Sequence, residues 1–159
     1  MAKTVAHICI IVWNIEEAVA RYSNILGVVA PELLESKVVK QRRLAGKNEY
    51  VTAFFGSVGD ACDIQFLQPP DRQSHLYKYL EKYGEGIHHV AFSSSHLEDM
   101  YKALKEKNVS VGDQLVPEAS ADSGQFDVRH FWILPEYSNG VRIEVIDDYK
   151  VVNGIVTKE

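Results

Sequence analysis

Three features that would indicate a class of protein are scarce in these 159 residues: paired cysteines, excess basic charge and long apolar runs. Cys9 and Cys62 are the only two cysteines and form no C-x-x-C pair, so the sequence predicts two reduced thiols and a cytoplasmic location. With 17 Lys and Arg residues against 22 Asp and Glu, the net charge of −5 disfavours a nucleic-acid partner. No apolar run approaches the roughly 20 residues that span a bilayer, and the N-terminal residues lack the pattern of a signal peptide, so we expect no membrane partner.

What the sequence does contain is an internal duplication. The phrases HICI at 7–10 and HVAF at 89–92 share a pattern 82 residues apart. Each belongs to an apolar strand pattern that is followed by a capping box and an amphipathic helix. Further strands are predicted over Val28–Leu34, Lys37–Leu44, Tyr50–Phe55 and Asp63–Leu67 in the first unit, and over Val128–Leu134 and Val141–Ile146 in the second, after a loop-rich region at Val109–Phe126. The pattern predicts two strand–helix–strand–strand–strand units, 1–70 and 87–159, joined by a linker helix within 71–86.

Two adjacent histidines stand in the phrase GEGIHHVAF at 84–92. Side chains alternate between the faces of a strand, so His88 and His89 are predicted to point to opposite sides. The remaining histidines have no counterpart in the other unit and are predicted to be surface or packing residues; they are His75, His96 and His130.

The ends of the two units match as well. Gln65 in DIQFL at 63–67 corresponds to Glu144 in RIEVI at 142–146, 79 residues later. Each polar residue interrupts an apolar strand, which costs free energy unless the side chain has a partner. If the units pair about a pseudo-twofold axis, these two residues converge with His7 and His89. Two imidazoles, an amide oxygen and a carboxylate suit a divalent metal ion, with positions left for substrate or water.

Paired units with this His, Gln, His and Glu pattern resemble the vicinal oxygen chelate (glyoxalase/bleomycin resistance/dioxygenase) superfamily. The resemblance covers nearly the whole chain, and GEGIHHVAF at 84–92, preceded by LEK at 80–82, is most similar to methylmalonyl-CoA epimerases. It implies an α+β fold in which two tandem βαβββ modules form a curved, barrel-like mixed sheet with helices on the convex face. It also implies a homodimer and one divalent ion (Co, Ni, Zn, Mn or Mg) held by His7, Gln65, His89 and Glu144. Whether the modules pair within or between chains stays open.

The same resemblance implies an enzyme that abstracts a proton α to a carbonyl of a small substrate such as an acyl-CoA thioester. Glu144 is then expected to act as a base as well as a ligand. The epimerases carry a second acid in an E-x-G-V phrase at the start of a strand. In the phrase NEYV at 48–51, Asn48 stands where that acid is expected and Glu49 follows it, so Glu49 is the expected second base.

Three other activities stay open. A glyoxalase-I-like lactoylglutathione lyase would use the same ligands on a glutathione thioester, with Glu144 as its base. An extradiol dioxygenase would need redox-active iron, for which two histidines and one carboxylate suffice, leaving Gln65 surplus. A non-catalytic ligand-binding member would not need the four ligands, so metal content would separate it from the enzymes.

Overall fold

The computed structural model, which describes residues 3–57, 59 and 61–159, has an eight-stranded barrel at its centre. The first half contains β1 (Val5–Ile11), α1 (Ile15–Val29), β2 (Gln41–Ala45), β3 (Asn48–Phe55) and β4 (Asp63–Gln68). After α2 (His75–Tyr83), the second half contains β5 (Gly86–Ser94), α3 (Leu97–Glu106), β6 (Val116–Ser120), β7 (Phe126–Ile133) and β8 (Ile143–Asp147), followed by a hairpin of β9 (Tyr149–Val152) and β10 (Ile155–Lys158). Each half therefore has the predicted βαβββ order, and the α+β barrel is confirmed.

The barrel closes within one chain, in the strand order β1-β4-β3-β2-β6-β7-β8-β5. The halves meet where β1 pairs antiparallel with β5 and where β2 pairs antiparallel with β6. The internal duplication also holds in the strand register, because Cys9 pairs with Gln65 and the equivalent Ala91 pairs with Glu144. The boundaries of the units at 70 and 87 stay predictions, since the sheet runs continuously through both halves.

The helices cover the barrel in two ways. Asn14 caps the N-terminus of helix α1, because its side chain accepts a hydrogen bond from the amide of Glu17. The buried face of α1 packs on the outside of the first half. Helix α3 covers the outside of the second half through Leu97. Helix α2 instead sets Leu76 against residues of the barrel interior. No helix of the described chain is both long and apolar enough to cross a bilayer.

One local prediction was wrong. The predicted strand Val28–Leu34 forms the end of α1 and a 3-10 helix at Pro31–Leu34, because every barrel strand already has two neighbours and Val28 is left 83% exposed. The region Val109–Phe126, which was predicted to be loop-rich, also contains β6, a short strand that closes the barrel against β2 in spite of Pro117.

The interior of the barrel is apolar at both ends and polar in the middle. One end contains Phe54 and Ile146, together with Tyr149 and Val156 from the β9–β10 hairpin. The other end is filled by a cluster from β1, β3, β4 and α2, namely Cys9, Ile11, Tyr50, Leu67, Leu76 and Leu80. A layer of buried ionisable and amide side chains lies between these two clusters, where each must find a partner.

Candidate metal centre

The four predicted ligands meet in the polar layer, where all are buried: His7, Gln65, His89 and Glu144. The Nε2 atoms of His7 and His89 lie 3.1 Å apart. Oε2 of Glu144 lies 3.1 Å from Nε2 of His7 and 3.4 Å from Nε2 of His89. Donor atoms bound about 2.1 Å from a common ion are separated by about 3 Å, so these three atoms have the spacing of a coordination shell.

The orientation of the Gln65 amide is fixed by Thr52. The Thr52 hydroxyl donates to the carbonyl oxygen of Phe66 at 2.7 Å, so its oxygen is left to accept from Nε2 of Gln65 at 3.1 Å. The amide oxygen of Gln65 is thereby turned away from Thr52, and within the described residues it is buried without a hydrogen-bond partner. A buried acceptor without a partner costs free energy, which a bound cation would recover.

The second nitrogen of His7 is held by Tyr149. The Tyr149 hydroxyl lies 2.7 Å from Nδ1 of His7 and donates to the carbonyl oxygen of Ala6 at 3.4 Å. Burial and the neighbouring charge of Asp63 raise the pKa of Tyr149 well above its usual value, so the hydroxyl stays neutral. It accepts the Nδ1 hydrogen of His7, and the lone pair on Nε2 then faces the centre.

His88 does not lie on the face opposite His89, and that prediction was wrong. In the β1–β5 pairing Cys9 lies opposite His89 while Ile10 lies opposite Ile87, so His88 is the extra residue of a β-bulge. A bulge breaks the alternation of side chains, and both imidazoles line the same cavity, with their Nδ1 atoms 2.9 Å apart.

A chain of hydrogen bonds runs through the paired histidines. The guanidinium of Arg142 can only donate, so it gives a hydrogen to Nε2 of His88 at 2.8 Å. His88 then carries its own hydrogen on Nδ1 and donates to Nδ1 of His89. In this arrangement the hydrogen of His89 sits on Nε2, between His7 and Glu144, in the place that a cation would take.

The charges of this layer follow from burial and contact. Burial, with the neighbouring His89 and Arg142, lowers the pKa of His88 to about 2, and burial also lowers the pKa of His89. Burial alone would raise the pKa of Glu144, but its interactions with the neighbouring imidazoles outweigh burial and hold that pKa well below its usual value. At neutral pH the Glu144 carboxylate therefore lies beside the neutral imidazoles of His88 and His89.

His130 was predicted to be a surface or packing residue; it is buried against Trp132, and it also lines the cavity beside two carboxylates. It is 2% exposed, and its Nδ1 lies 3.0 Å from Oε1 of Glu118 and 3.7 Å from Oε1 of Glu144. Burial lowers the pKa of His130, but Glu118 and Glu144 outweigh it and the pKa is raised. The sequence signal for this position is the alternation of side chains along β7. It puts His130 on the same face as Trp132, which pairs with Glu144 of β8.

Glu118 links His130 to the other half of the barrel. Its Oε2 lies 3.6 Å from NH2 of Arg43, a buried residue that also donates through NH1 to Asp127 at 2.9 Å. Tyr50 of β3 and Val128 of β7 are equivalent, because each lies four residues before the partner of Gln65 or Glu144. Arg43 pairs with Tyr50, and Glu118 pairs with Val128. Arg43 and Glu118 are thus equivalent positions that carry opposite charges.

Glu49 lies at the rim of the same cavity. The pairing of β3 with β2 runs from Asn48 to Thr52 without a register shift, so Asn48 shares the inward face with Tyr50, and Glu49 faces the other way. Its carboxylate accepts a hydrogen bond from Nε of Arg42 at 2.7 Å, which lowers its pKa.

The cavity of about 170 Å³ has acid–base groups on one side and apolar walls on the other. It is lined by Gln65, His88, His89, Glu118, His130 and Glu144, and by Tyr50, Leu67, Leu76 and Trp132. The neutral nitrogens, the unpartnered amide oxygen and the single carboxylate fit a divalent cation, in exchange for the hydrogen on His89.

Comparison with known proteins adds a family and a fold. The sequence of residues 6–126 matches the protein-family model of the Glyoxalase/Bleomycin resistance protein/Dioxygenase superfamily. The uncharacterized protein YqjC of Bacillus subtilis is 29% identical over 143 residues, which cover 89% of each chain.

Solved structures with a similar fold include methylmalonyl-CoA epimerases. The enzyme from Mycobacterium tuberculosis is 23% identical with a TM-score of 0.67, covering 93% of this chain and 91% of that one. A Streptomyces coelicolor epimerase variant in complex with 2-nitronate-propionyl-CoA is 22% identical with a TM-score of 0.67, covering 93% and 99%. A hypothetical protein from Bacillus halodurans is 26% identical with a TM-score of 0.68, covering 91% and 93%.

Proposed function

Because the chain belongs to the glyoxalase/bleomycin resistance protein/dioxygenase superfamily, we propose that it is a metal-dependent epimerase or isomerase that abstracts a proton α to a carbonyl. The observation that carries this proposal is the convergence of four buried donors, one of which, the amide oxygen of Gln65, has no partner in the described chain. The fold shared with methylmalonyl-CoA epimerases supports a thioester substrate of that kind.

In this proposal His7, Gln65, His89 and Glu144 would hold one divalent ion, of which Co, Ni, Zn, Mn and Mg are candidates. When bound, the ion would polarise the carbonyl oxygen of the substrate and stabilise the negative charge that develops as the α-proton leaves. Since Gln65 is neutral, Glu144 is the only anionic ligand, and the centre keeps a net positive charge.

Glu144 can take part in proton transfer because its two oxygens face different neighbours. Oε2 contacts the two candidate ligand imidazoles, whereas Oε1 lies on the side of His130. We propose that Oε1 accepts the α-proton on one face of the substrate. The apolar wall with Trp132 and Leu67 would exclude water from the planar carbanion.

Epimerisation also needs a group that returns a proton to the opposite face. Glu49 is proposed for this role, and to act it would have to leave Arg42 and turn inward from the cavity rim. His130 is a rival for the same role, supported by its burial in the cavity and its contact with Glu118.

A second candidate function is a glyoxalase-I-like lyase that converts a glutathione hemithioacetal into a glutathione thioester. The specific observation in its favour is the ion pair with Arg42, which engages the carboxylate of Glu49, the proposed second base of an epimerase. A one-base mechanism through Glu144 would not need Glu49 at all.

Proton–deuterium exchange in heavy water tests both candidates. The metal-loaded protein would be given methylmalonyl-CoA, a glutathione hemithioacetal and 2-substituted acids, and the loss of the α-proton signal followed by NMR. Exchange into the thioester of coenzyme A supports the epimerase, and exchange into the hemithioacetal alone supports the lyase. No exchange into any of them, with metal bound, would reject proton abstraction.

We also propose a cytoplasmic location and a homodimeric assembly. Both cysteines are free, and Cys9 is fully buried, which is compatible with a reducing cytoplasm. A homodimer is proposed from the family resemblance, and light scattering of the purified protein would test it.

A further inference from the structure

A groove runs over the outside of the molecule from the cavity to the exposed face of α2. It has a volume of about 500 Å³ and lies between α2 and the segment that leads into β8. It continues into a hollow of about 400 Å³ lined by Tyr79, Tyr83, Ile87 and Arg142. His88 lines the cavity, the groove and the hollow, so the three spaces meet at this residue. We call the groove and the hollow together the α2 groove.

Arg142 gives the α2 groove an unneutralised positive charge. Its guanidinium donates to the neutral His88 and lies over the ring of Tyr79, with 5.4 Å between Cζ and the ring centroid. Among the described residues its contacts are these two and no carboxylate pairs with it, although the protein carries a net charge of −5. Lys78 and Lys82 of α2 line the same space. A half-buried arginine without a counter-ion is suited to an anionic ligand, and its planar fork matches phosphate.

The aromatic surface of the groove favours a flat ring beside that anion. Tyr83 is 63% exposed and Ile87 is 65% exposed, so their apolar surface is not covered by the chain. The rings continue inward from Tyr83 to Tyr79 at 4.7 Å between centroids and from Tyr79 to His88 at 4.9 Å. Aromatic side chains stack on nucleobases because every base offers a flat π-face.

We propose that the α2 groove binds the phosphorylated nucleotide arm of a coenzyme A thioester whose acyl group enters the cavity. The cations would take the phosphates, the tyrosine faces would take the adenine, and the passage at His88 would admit the thioester arm. This inference rests on the proposed function for the identity of the acyl group. It also distinguishes a coenzyme A thioester from a glutathione thioester as the ligand of this protein. Glutathione has two carboxylates that can pair with the cations, but it has no phosphate and no aromatic ring, so it leaves the tyrosine faces of the groove unused.

The test uses free coenzyme A, which has no acyl group, and the full-length protein dialysed free of metal. Calorimetric titration should give binding that weakens at least tenfold in Arg142→Ala and several-fold in the double variant Lys78→Ala with Lys82→Ala. Lys102→Ala, which removes an exposed lysine from α3, is the matched control and should bind as the wild type does. Binding should also weaken with added salt, since the contacts are charged.

Competition experiments identify which part of the ligand is recognised. Adenosine 3′,5′-bisphosphate should displace coenzyme A, while S-methylglutathione and inorganic phosphate at the same concentration should not. Equal displacement by either of those two, or equal affinity in the wild type and Arg142→Ala, would overturn the proposal. His89→Ala should still bind coenzyme A, so a failure of metal binding or of isomerase activity would leave this test intact. Circular dichroism of each variant would establish that it is folded.

Discussion

The hydroxyl oxygen of Tyr149 lies 2.7 Å from Nδ1 of His7, and this contact joins the C-terminal hairpin to the centre of the barrel. The two residues come from opposite ends of the chain. Because the hydroxyl accepts the Nδ1 hydrogen, it decides that the free lone pair of His7 is on Nε2.

Tyr149→Phe should therefore weaken metal binding by about 10–100-fold, the usual cost of losing a partner of a ligating histidine. Competition with a chromogenic chelator would measure the affinity. Tyr101→Phe is the control, since it removes a hydroxyl that bonds to the carbonyl oxygen of Gly112, away from the centre. Equal affinity in both variants would mean that Tyr149 does not orient His7.

Replacing His7, His89 or Glu144 by Ala should remove most of the bound metal and leave a folded protein. Each change deletes one converging donor, and His89 and Glu144 line the cavity, which gives room for their replacement. Elemental analysis after gel filtration would report the metal content. His88→Ala should retain metal, because His88 donates to Nδ1 of His89 and so, unlike Tyr149 at His7, does not favour the tautomer whose Nε2 is free to bind a metal. Unchanged metal in all three alanine variants would end the proposal.

The second proton-transfer group can be found by comparing Glu49→Gln with His130→Gln. If Glu49 is the base, its variant should lose epimerisation at least a hundredfold while keeping its metal, and the His130 variant should be less affected. If His130 carries the proton, the pattern reverses. Rates of α-proton exchange on methylmalonyl-CoA would decide. Full activity in both variants would contradict a two-base epimerase and favour the one-base lyase through Glu144.

The metal-free protein should lose stability on acidification. The pKa of His88 is about 2 when folded and about 6.5 when unfolded, so the unfolded state binds more protons in that interval. The free energy of unfolding should then fall below pH 6.5 by at most about 1.4 kcal/mol per pH unit for this group. His89 shifts in the same direction, whereas His130 shifts oppositely and stabilises on mild acidification.

Urea denaturation at pH 7 and pH 5 would measure that slope. His88→Gln cannot titrate in this range, so it should lose less stability between the two pH values than the wild type. An identical loss in both proteins would show that His88 does not contribute to it.

The duplication made much of the centre readable from the sequence. His7 and His89 recur at one offset, and Gln65 and Glu144 recur at another, so their convergence follows from pairing two equivalent units. The register of the strands reproduces those equivalences. Residues that obey the repeat could be predicted because each one is supported by its counterpart.

The residues that break the repeat could not be predicted. The bulge at His88 is one extra residue in a strand, and local composition carries no sign of it. Glu118 lies on a strand that forms only because β2 offers it a partner across the barrel. Without Glu118, nothing nearby in the sequence gave His130 a role.

The ion pair between Arg43 and Glu118 has a consequence for the history of the molecule. Equivalent positions of two identical units would carry the same residue, so a unit paired with its own copy would bring two buried guanidinium groups, or two buried carboxylates, together. Either contact would repel strongly in the interior. Neither half can therefore replace the other. A chain that contained only one of them would bring like charges together at this position, and this repulsion would oppose rebuilding the barrel by self-association.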